Sequence, residues 1–251
     1  MFYIKVLISV FFMSFFSCTY AEDKQKIIRL TTSEFPPYIS DSLEGKGFLV
    51  KMIRGAFQQQ GYQVEIDFYP WQRAFILAKK GGYDGIFPLW YSDERAKTFL
   101  YSRPTVSSEI TLYKQKQTII KPLNYNTIKN YSIGAVRGYA NPPLLNQSEI
   151  LLELVTYDIQ NLQKLAKGRV DLIVMDNYVA NYLLMTELPQ YVGKLTAIYP
   201  PLEKKPHYLG LNHNSSHLKQ KMTDFNRGFT ILEETGQIKT LLAPYQINTK
   251  K

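Results

Sequence analysis

Arg95 stands a few residues beyond an apolar strand in "GGYDGIFPLWYSDERAKTFLYSRP" (81–104), and Asp176 closes another such strand, "VDLIVMD". A guanidinium can hold a carboxylate through two parallel hydrogen bonds, and a carboxylate can take an ammonium or cap a helix. The strand before Arg95 is short and firm. Ile86 to Leu89 is apolar, it follows the turn-formers Gly81, Gly82, Asp84 and Gly85, and Pro88 limits ladder pairing near its end. Arg95 therefore begins at the carboxyl edge of a sheet, where α/β folds bind ligands. Read alone, it is a solvated helix-start residue paired with Asp93 or Glu94, and Asp176 is an N-cap. Both readings of Asp176 are compatible, because one oxygen can cap while the other faces a cleft.

Other chemistry finds little support. His213 and His217 in "HNSSH" have helical spacing but no third ligand nearby, so no metal site is expected. "GAVRGYA" lacks the Lys-Ser/Thr of a phosphate loop, and there is no G-x-S-x-G nucleophile turn. Asp171 and Asp176, five residues apart on a strand, point to opposite faces and do not form a dyad; Asp171 reads as structural.

The elements that must position these groups follow from periodicity. Ile27–Thr31 reads as a buried strand, and "GFLVKMIRGAFQQQG" places Phe48, Leu49, Met52, Ile53, Ala56 and Phe57 on one helical face. Val64–Tyr69 is a strand, Trp71–Lys80 a helix and Ile86–Leu89 a third strand, giving the β-α-β-α-β rhythm of a parallel sheet covered by helices. A second α/β unit follows over roughly 115–208. It contains strands at Ser132–Val136 and Leu151–Thr156, the helix "DIQNLQKLAKG" capped by Asp158, the strand "VDLIVMD" and the helix "NYVANYLLMTE". "SSEITLYKQKQ" and "HYLGLNHN" alternate like strands on either side of this unit, so the chain crosses twice between two units and forms a hinge. The apolar stripe Leu218, Met222, Phe225, Phe229 and Leu232 predicts a long closing helix, and Gly236 starts a short last one.

Residues 1–21 read as a cleavable signal peptide: Lys5, an apolar core from Val6 to Phe16, then small or polar residues to Ala21. Periplasmic export is expected. Cys18, the only cysteine, lies within this segment, so the remaining chain would have no disulfide or thiol chemistry; lipoprotein acylation at Cys18 competes, against the bulky Phe15 and Phe16. The net charge of +9 is scattered without an arginine-rich run, which together with export argues against a nucleic-acid partner.

Taken in order, "TTSEFPPY", "GFLVKMIRGAF", "FYPWQRAF", the 81–104 stretch, "YSIGAVRGYA", "LAKGRVDLIVMD", "LGLNHNSSHLKQKMTDFNRGF" and "EETGQIKTLLAPY" resemble the bacterial extracellular solute-binding proteins of family 3. The likeness covers essentially all of the chain after residue 21. It implies an α/β, two-lobed type II periplasmic binding protein joined by a two-strand hinge, with lobe 1 made of 22–114 and 209–251 and lobe 2 of 115–208. It further implies that Arg95 grips the α-carboxylate of an amino acid, that Asp176 takes the α-ammonium and that Phe35 and Trp71 sandwich the side chain. Gly138 matches a position whose neighbouring amides meet the carboxylate from the other side.

The departures concern the same cleft. Phe87, Pro88 and Trp90 stand where serine or threonine hydroxyls are usual, and Tyr139 replaces a small hydroxyl residue after Gly138. Rings in place of hydroxyls favour a flatter, more apolar or cationic solute. The implied function is capture of a small zwitterionic or carboxylate solute for an inner-membrane ABC permease, by a monomer with no cofactor. The alternatives are a sensor feeding a membrane signalling protein and a cyclohexadienyl dehydratase-like enzyme, which needs a carboxylic acid of raised pKa; Asp176 is its one obvious source.

Overall fold

The computed structural model describes residues 26–245 except Pro122 and Tyr125, so the expected signal peptide and Cys18 lie outside the described residues. Two five-stranded sheets form two α/β lobes. The first contains β1 (Lys26–Thr32), β2 (Tyr62–Phe68), β3 (Gly85–Leu89), β4 (Phe99–Tyr101) and β10 (Tyr208–Asn212), in the order β2-β1-β3-β10-β4. The second contains β5 (Ser107–Gln115), β6 (Ile133–Val136), β7 (Leu152–Val155), β8 (Leu172–Asp176) and β9 (Leu195–Pro206), in the order β7-β6-β8-β5-β9. In each sheet the βαβ strands are parallel, and the strand that arrives from the other lobe is antiparallel.

The helices cover these sheets as the apolar periodicity requires. α1 (Phe48–Gln58) buries Phe48, Leu49, Met52, Ile53, Ala56 and Phe57, and packs on α6 (Leu218–Glu234). Their backbones approach so closely that a Cβ at Gly228 would lie 1.9 Å from the Ala56 carbonyl oxygen. α2 (Trp71–Lys79) and the single-turn α3 (Asp93–Ala96) follow β2 and β3; α4 (Asp158–Ala166) and α5 (Asn177–Thr186) flank β8; α7 (Gln237–Leu242) closes against α1. No described helix is long and apolar enough to cross a membrane.

The chain changes sheet between Tyr101 and Ser107 and again between Pro206 and Tyr208. Ser107–Gln115, expected in lobe 1 up to residue 114, instead pairs with β8 and β9 inside the second sheet. Its first residues alternate as an inter-lobe strand would, but Ile110, Leu112 and Tyr113 are buried on contact with β8 and its neighbours. β9 has no alternation to reveal it. Pro200, Pro201, Lys204 and Lys205 interrupt its sequence, which an edge strand tolerates because one side of its ladder is unpaired.

One set of buried side chains runs from Ile28 and Leu30 through Phe35, Tyr38 and Val106 to Tyr113 and Met175. The lobes are therefore packed together, with the cleft closed.

Candidate functional site

The cleft begins where pairing between β1 and β3 stops. Their register ends at Thr31 and Ile86, and beyond it Thr32 Oγ1 donates to the Phe87 carbonyl at 2.6 Å. Pro88 supplies no donor there; Leu89 still pairs with Tyr208 of β10, and the chain then leaves the sheet toward Trp90 and α3. Ser92 caps α3 by accepting the Arg95 amide at 3.2 Å.

Arg95 is 7% exposed and has no carboxylate partner among the described residues. Glu94 pairs with Lys97, and Asp93 accepts from Tyr91, which removes the surface ion pair read from sequence. The guanidinium donates instead to main-chain carbonyls: one amino group to Trp90 at 2.9 Å, the other to Gly138 of the second lobe at 3.0 Å. It also lies over Trp71 and Phe75, 5.6 and 5.2 Å from the ring centroids. Burial lowers its pKa.

Trp71, the first residue of α2, donates its indole N–H to the same Gly138 carbonyl at 2.9 Å. One oxygen with two lone pairs thus receives two donors from the opposite lobe. Gly138 holds φ +82°, and an added Cβ would sit 2.0 Å from Gln72 Oε1. The amide of Tyr139 turns back to Val136, so this loop shows the cleft a carbonyl where the resemblance implies amides.

Phe35, Trp71, Pro88, Trp90, Tyr139 and Ser33 enclose a cavity of only about 20 Å³. Its rings meet edge to face: Phe35 with Trp90 and Tyr139 at 6.3 and 6.2 Å, Trp90 with Tyr139 at 5.4 Å. The indole nitrogen of Trp90 is buried without a partner. Phe87 does not join them; it is fully buried in the lobe core.

Asp176 is 1% exposed at the end of β8. Oδ1 caps α5 by accepting the Val179 amide at 2.9 Å, while Oδ2 accepts the hydroxyl of Tyr38, from the other lobe, at 3.3 Å. Burial pushes its pKa up to about 6, against the lowering effect of the Ser108, Val179 and Tyr38 donors. Asp176 does not line the ring-walled cavity.

Three residues that sequence reasoning did not bring to the cleft also belong there. Asp158, expected as a helix cap, is the first helical residue of α4 after Tyr157; it accepts the Tyr139 hydroxyl at 2.9 Å, and burial raises its pKa to about 7. His207, on the second crossing, is fully buried beside Phe35, Tyr38 and Trp90. Its Nε2 lies 2.6 Å from Ser108 Oγ, Nδ1 has no partner, and burial depresses its pKa to about 3. Lys205 reaches across to donate to the Ala140 carbonyl at 2.7 Å with its ammonium over Trp90. The only sequence sign for His207 and Lys205 is their place on the returning strand. Away from the cleft, His213 Nε2 meets the Ala96 carbonyl, and Asp171 ties β6 to β8 through the Ser132 amide and hydroxyl. Among the described residues no group of three His, Cys, Asp or Glu could hold a metal ion.

The sequence matches the bacterial extracellular solute-binding proteins, family 3, across residues 27–248. The chain belongs to that family. Comparison with curated proteins finds no match. Among solved structures, this family 3 protein is similar to one described for glutathione import in Gram-positive bacteria via GshT and the cystine ABC importer TcyBC of Streptococcus mutans, at 23% identity and TM-score 0.75, covering 88% of this chain and 95% of that one. The GluR0 ligand-binding core from Nostoc punctiforme in complex with L-glutamate shares 18% identity and a TM-score of 0.74, with 87% and 99% coverage. A histidine kinase sensor domain with similarity to periplasmic binding proteins shares 18% identity and a TM-score of 0.75, with 89% and 97% coverage. At these identities the likeness establishes the fold alone, two α/β lobes of the type II periplasmic binding protein arrangement.

Proposed function

We propose that this solute-binding protein captures a small amino-acid-like ligand between its lobes and presents it to an ABC permease of the inner membrane. One observation carries the reading: the buried guanidinium of Arg95 from one lobe bonds the Gly138 carbonyl of the other, and the buried carboxylate of Asp176 from that other lobe bonds Tyr38 of the first, so each charge sits on a contact between lobes, although neither lines the ring-walled cavity. The structure described for import through a cystine ABC importer supports the transport side. In this reading the lobes reopen, the ligand carboxylate replaces the Gly138 carbonyl on Arg95, and Phe35, Trp71 and Trp90 pack on its side chain. Closure expels water and returns the contacts between lobes. The lobes divide where the chain changes sheet, and the protein reaches the periplasm by cleavage after Ala21.

Trp71 and Trp90 are the only two tryptophans, and both line the seam. Titration of amino acids, amines and small carboxylates while following tryptophan emission is therefore the direct test. A true ligand changes the emission and raises Tm, by the equivalent of about 2.7 kcal/mol at a hundredfold excess over Kd. If no amino acid does either, the reading fails.

The raised acids Asp158 and Asp176 favour one second reading, a dehydratase on the same scaffold, because a protonated buried carboxyl can serve as a general acid. Incubation with prephenate or arogenate decides it: appearance of an aromatic product establishes catalysis, and its absence leaves the receptor.

A further inference from the structure

A second cavity crosses the seam between the lobes and shares the Trp71 wall with the ring-walled one. It measures about 430 Å³. Arg73, Ile76 and Leu77 of α2 line it from the first lobe, and Arg137 and Thr156, which follow β6 and β7, line it from the second. Residues 73, 76 and 77 are spaced to share one helical face, and Ile76 is 40% exposed, so nothing in the protein covers that face. The lining holds two guanidiniums and no Asp, Glu or His.

The two cations are unpaid for by any acid. Arg29 pairs with Glu65 and Arg103 with Glu233, whereas Arg73 and Arg137 have no carboxylate partner among the described residues. The ring of Tyr69 lies 4.9 Å from the Arg73 guanidinium carbon, which engages one face of the plane and leaves its N–H edges for an acceptor. Arg137 directly precedes Gly138, whose carbonyl receives Arg95 and Trp71 of the first lobe. The contact that closes the lobes therefore also brings two like charges onto one cavity, and an anion between them relieves the repulsion. We propose that this cavity binds an organic anion, a carboxylate on an apolar body, which joins Arg73 of one lobe to Arg137 of the other.

The chemistry of the walls selects that class. A guanidinium fork matches a planar carboxylate through paired, charge-assisted hydrogen bonds. Ile76, Leu77 and Trp71 offer apolar surface that a bare inorganic ion would leave wet and an alkyl chain would cover. Arg95 does not line this cavity, so its occupancy is independent of which solute fills the ring-walled one. Because the two arginines belong to different lobes, an anion held by both favours the closed arrangement to the extent that it binds that arrangement better.

Calorimetric titration of the whole folded protein with hexanoate tests the site, with hexan-1-ol and hexylamine as neutral and cationic controls of matched length. Hexanoate is expected to bind, more weakly as salt is raised, and the controls are not. Arg73→Gln and Arg137→Gln, both at exposed positions that tolerate substitution, are each expected to weaken hexanoate about tenfold, the value of a charge-assisted hydrogen bond. Arg95→Ala, which removes the cation of the ring-walled cleft, is expected to leave hexanoate binding in place. The proposal is overturned by absence of saturable heat at millimolar hexanoate, by equal binding of the alcohol, by unchanged affinity in either glutamine variant, or by loss of binding in Arg95→Ala.

Discussion

The two jaws of the cleft satisfy their charges differently. On the first lobe, Arg95 spends its donors on the carbonyls of Trp90 and Gly138 and stacks on two rings. On the second, Asp176 is supported by Val179 and Tyr38, but Asp158 retains an oxygen with no donor, and each acid has its pKa pushed upward by burial. The closed protein is therefore complete on its cationic side and incomplete on its anionic side. On the proposed reading, a ligand carboxylate would compete with a main-chain carbonyl, whereas a ligand ammonium would meet carboxylates that gain by its arrival.

Removing the cation should have the largest effect. Arg95→Ala is expected to weaken any carboxylate-bearing ligand by about a hundredfold, the loss of paired charge-assisted hydrogen bonds. Tryptophan-emission titration measures it, and unchanged affinity would remove Arg95 from ligand contact. Next comes the carbonyl that occupies it. Gly138→Ala places a side chain at φ +82° beside Gln72, at a backbone cost of about 1–3 kcal/mol, and should shift the unliganded protein toward an open, larger radius of gyration in small-angle scattering.

The anionic side should appear in the pH dependence of stability. Asp158 and Asp176 have folded pKa values above those of the unfolded chain, so the folded state keeps protons that the unfolded state has lost; stability from these groups falls as pH rises from about 4 to 7. His207 acts in the opposite sense. Its depressed pKa means that the unfolded chain takes up the proton first, so its contribution is present above the ordinary histidine value and is lost as pH falls toward about 3. Besides Tyr139, the charge of Asp176 acts on Asp158, and Glu34, Glu187, Tyr157 and Tyr182 line one cavity with it. Asp158→Asn should therefore raise Tm relative to the parent by an amount that grows from pH 5 to pH 8, at about 2–4 °C per kcal/mol in a chain of this size. A difference that stays constant across that range would contradict the buried-acid account.

The smallest effect is expected from Trp71→Phe, which keeps a ring in the wall and deletes one donor to Gly138. It should cost about 0.5–1.5 kcal/mol of closure, read as a modest rise in radius of gyration before ligand is added.

Much of this was legible in the sequence, for reasons that differ by element. The helical stripes of α1, α4 and α6 and the apolar runs of β1, β3 and β8 announce themselves because each buries one face or both. Strand β9 does not, because an edge strand with three prolines carries no period. In the cleft, the resemblance singled out Phe35, Trp71 and Trp90, which line the ring-walled cavity, but put Phe87 with them; the alternation of side chains turns Phe87 into the core and leaves Pro88 and Trp90 at the edge. Asp158, read only as a helix cap, and His207 were not assigned to the cleft, since neither belongs to a chemical motif. Asp158 meets Tyr139 within the second lobe, and His207 meets Phe35, Tyr38 and Trp90 where the returning crossing passes the cleft, adjacencies that the chain order does not show.

The Gly138 carbonyl has one more consequence. It serves as a resident decoy, seated on the same positive charge that a carboxylate cargo would seek. If Arg95 is where a cargo docks, a solute whose oxygen is a poorer acceptor than an amide carbonyl gains nothing by displacing it, so the arrangement would disfavour neutral alcohols and sugars and favour an acceptor carrying full charge.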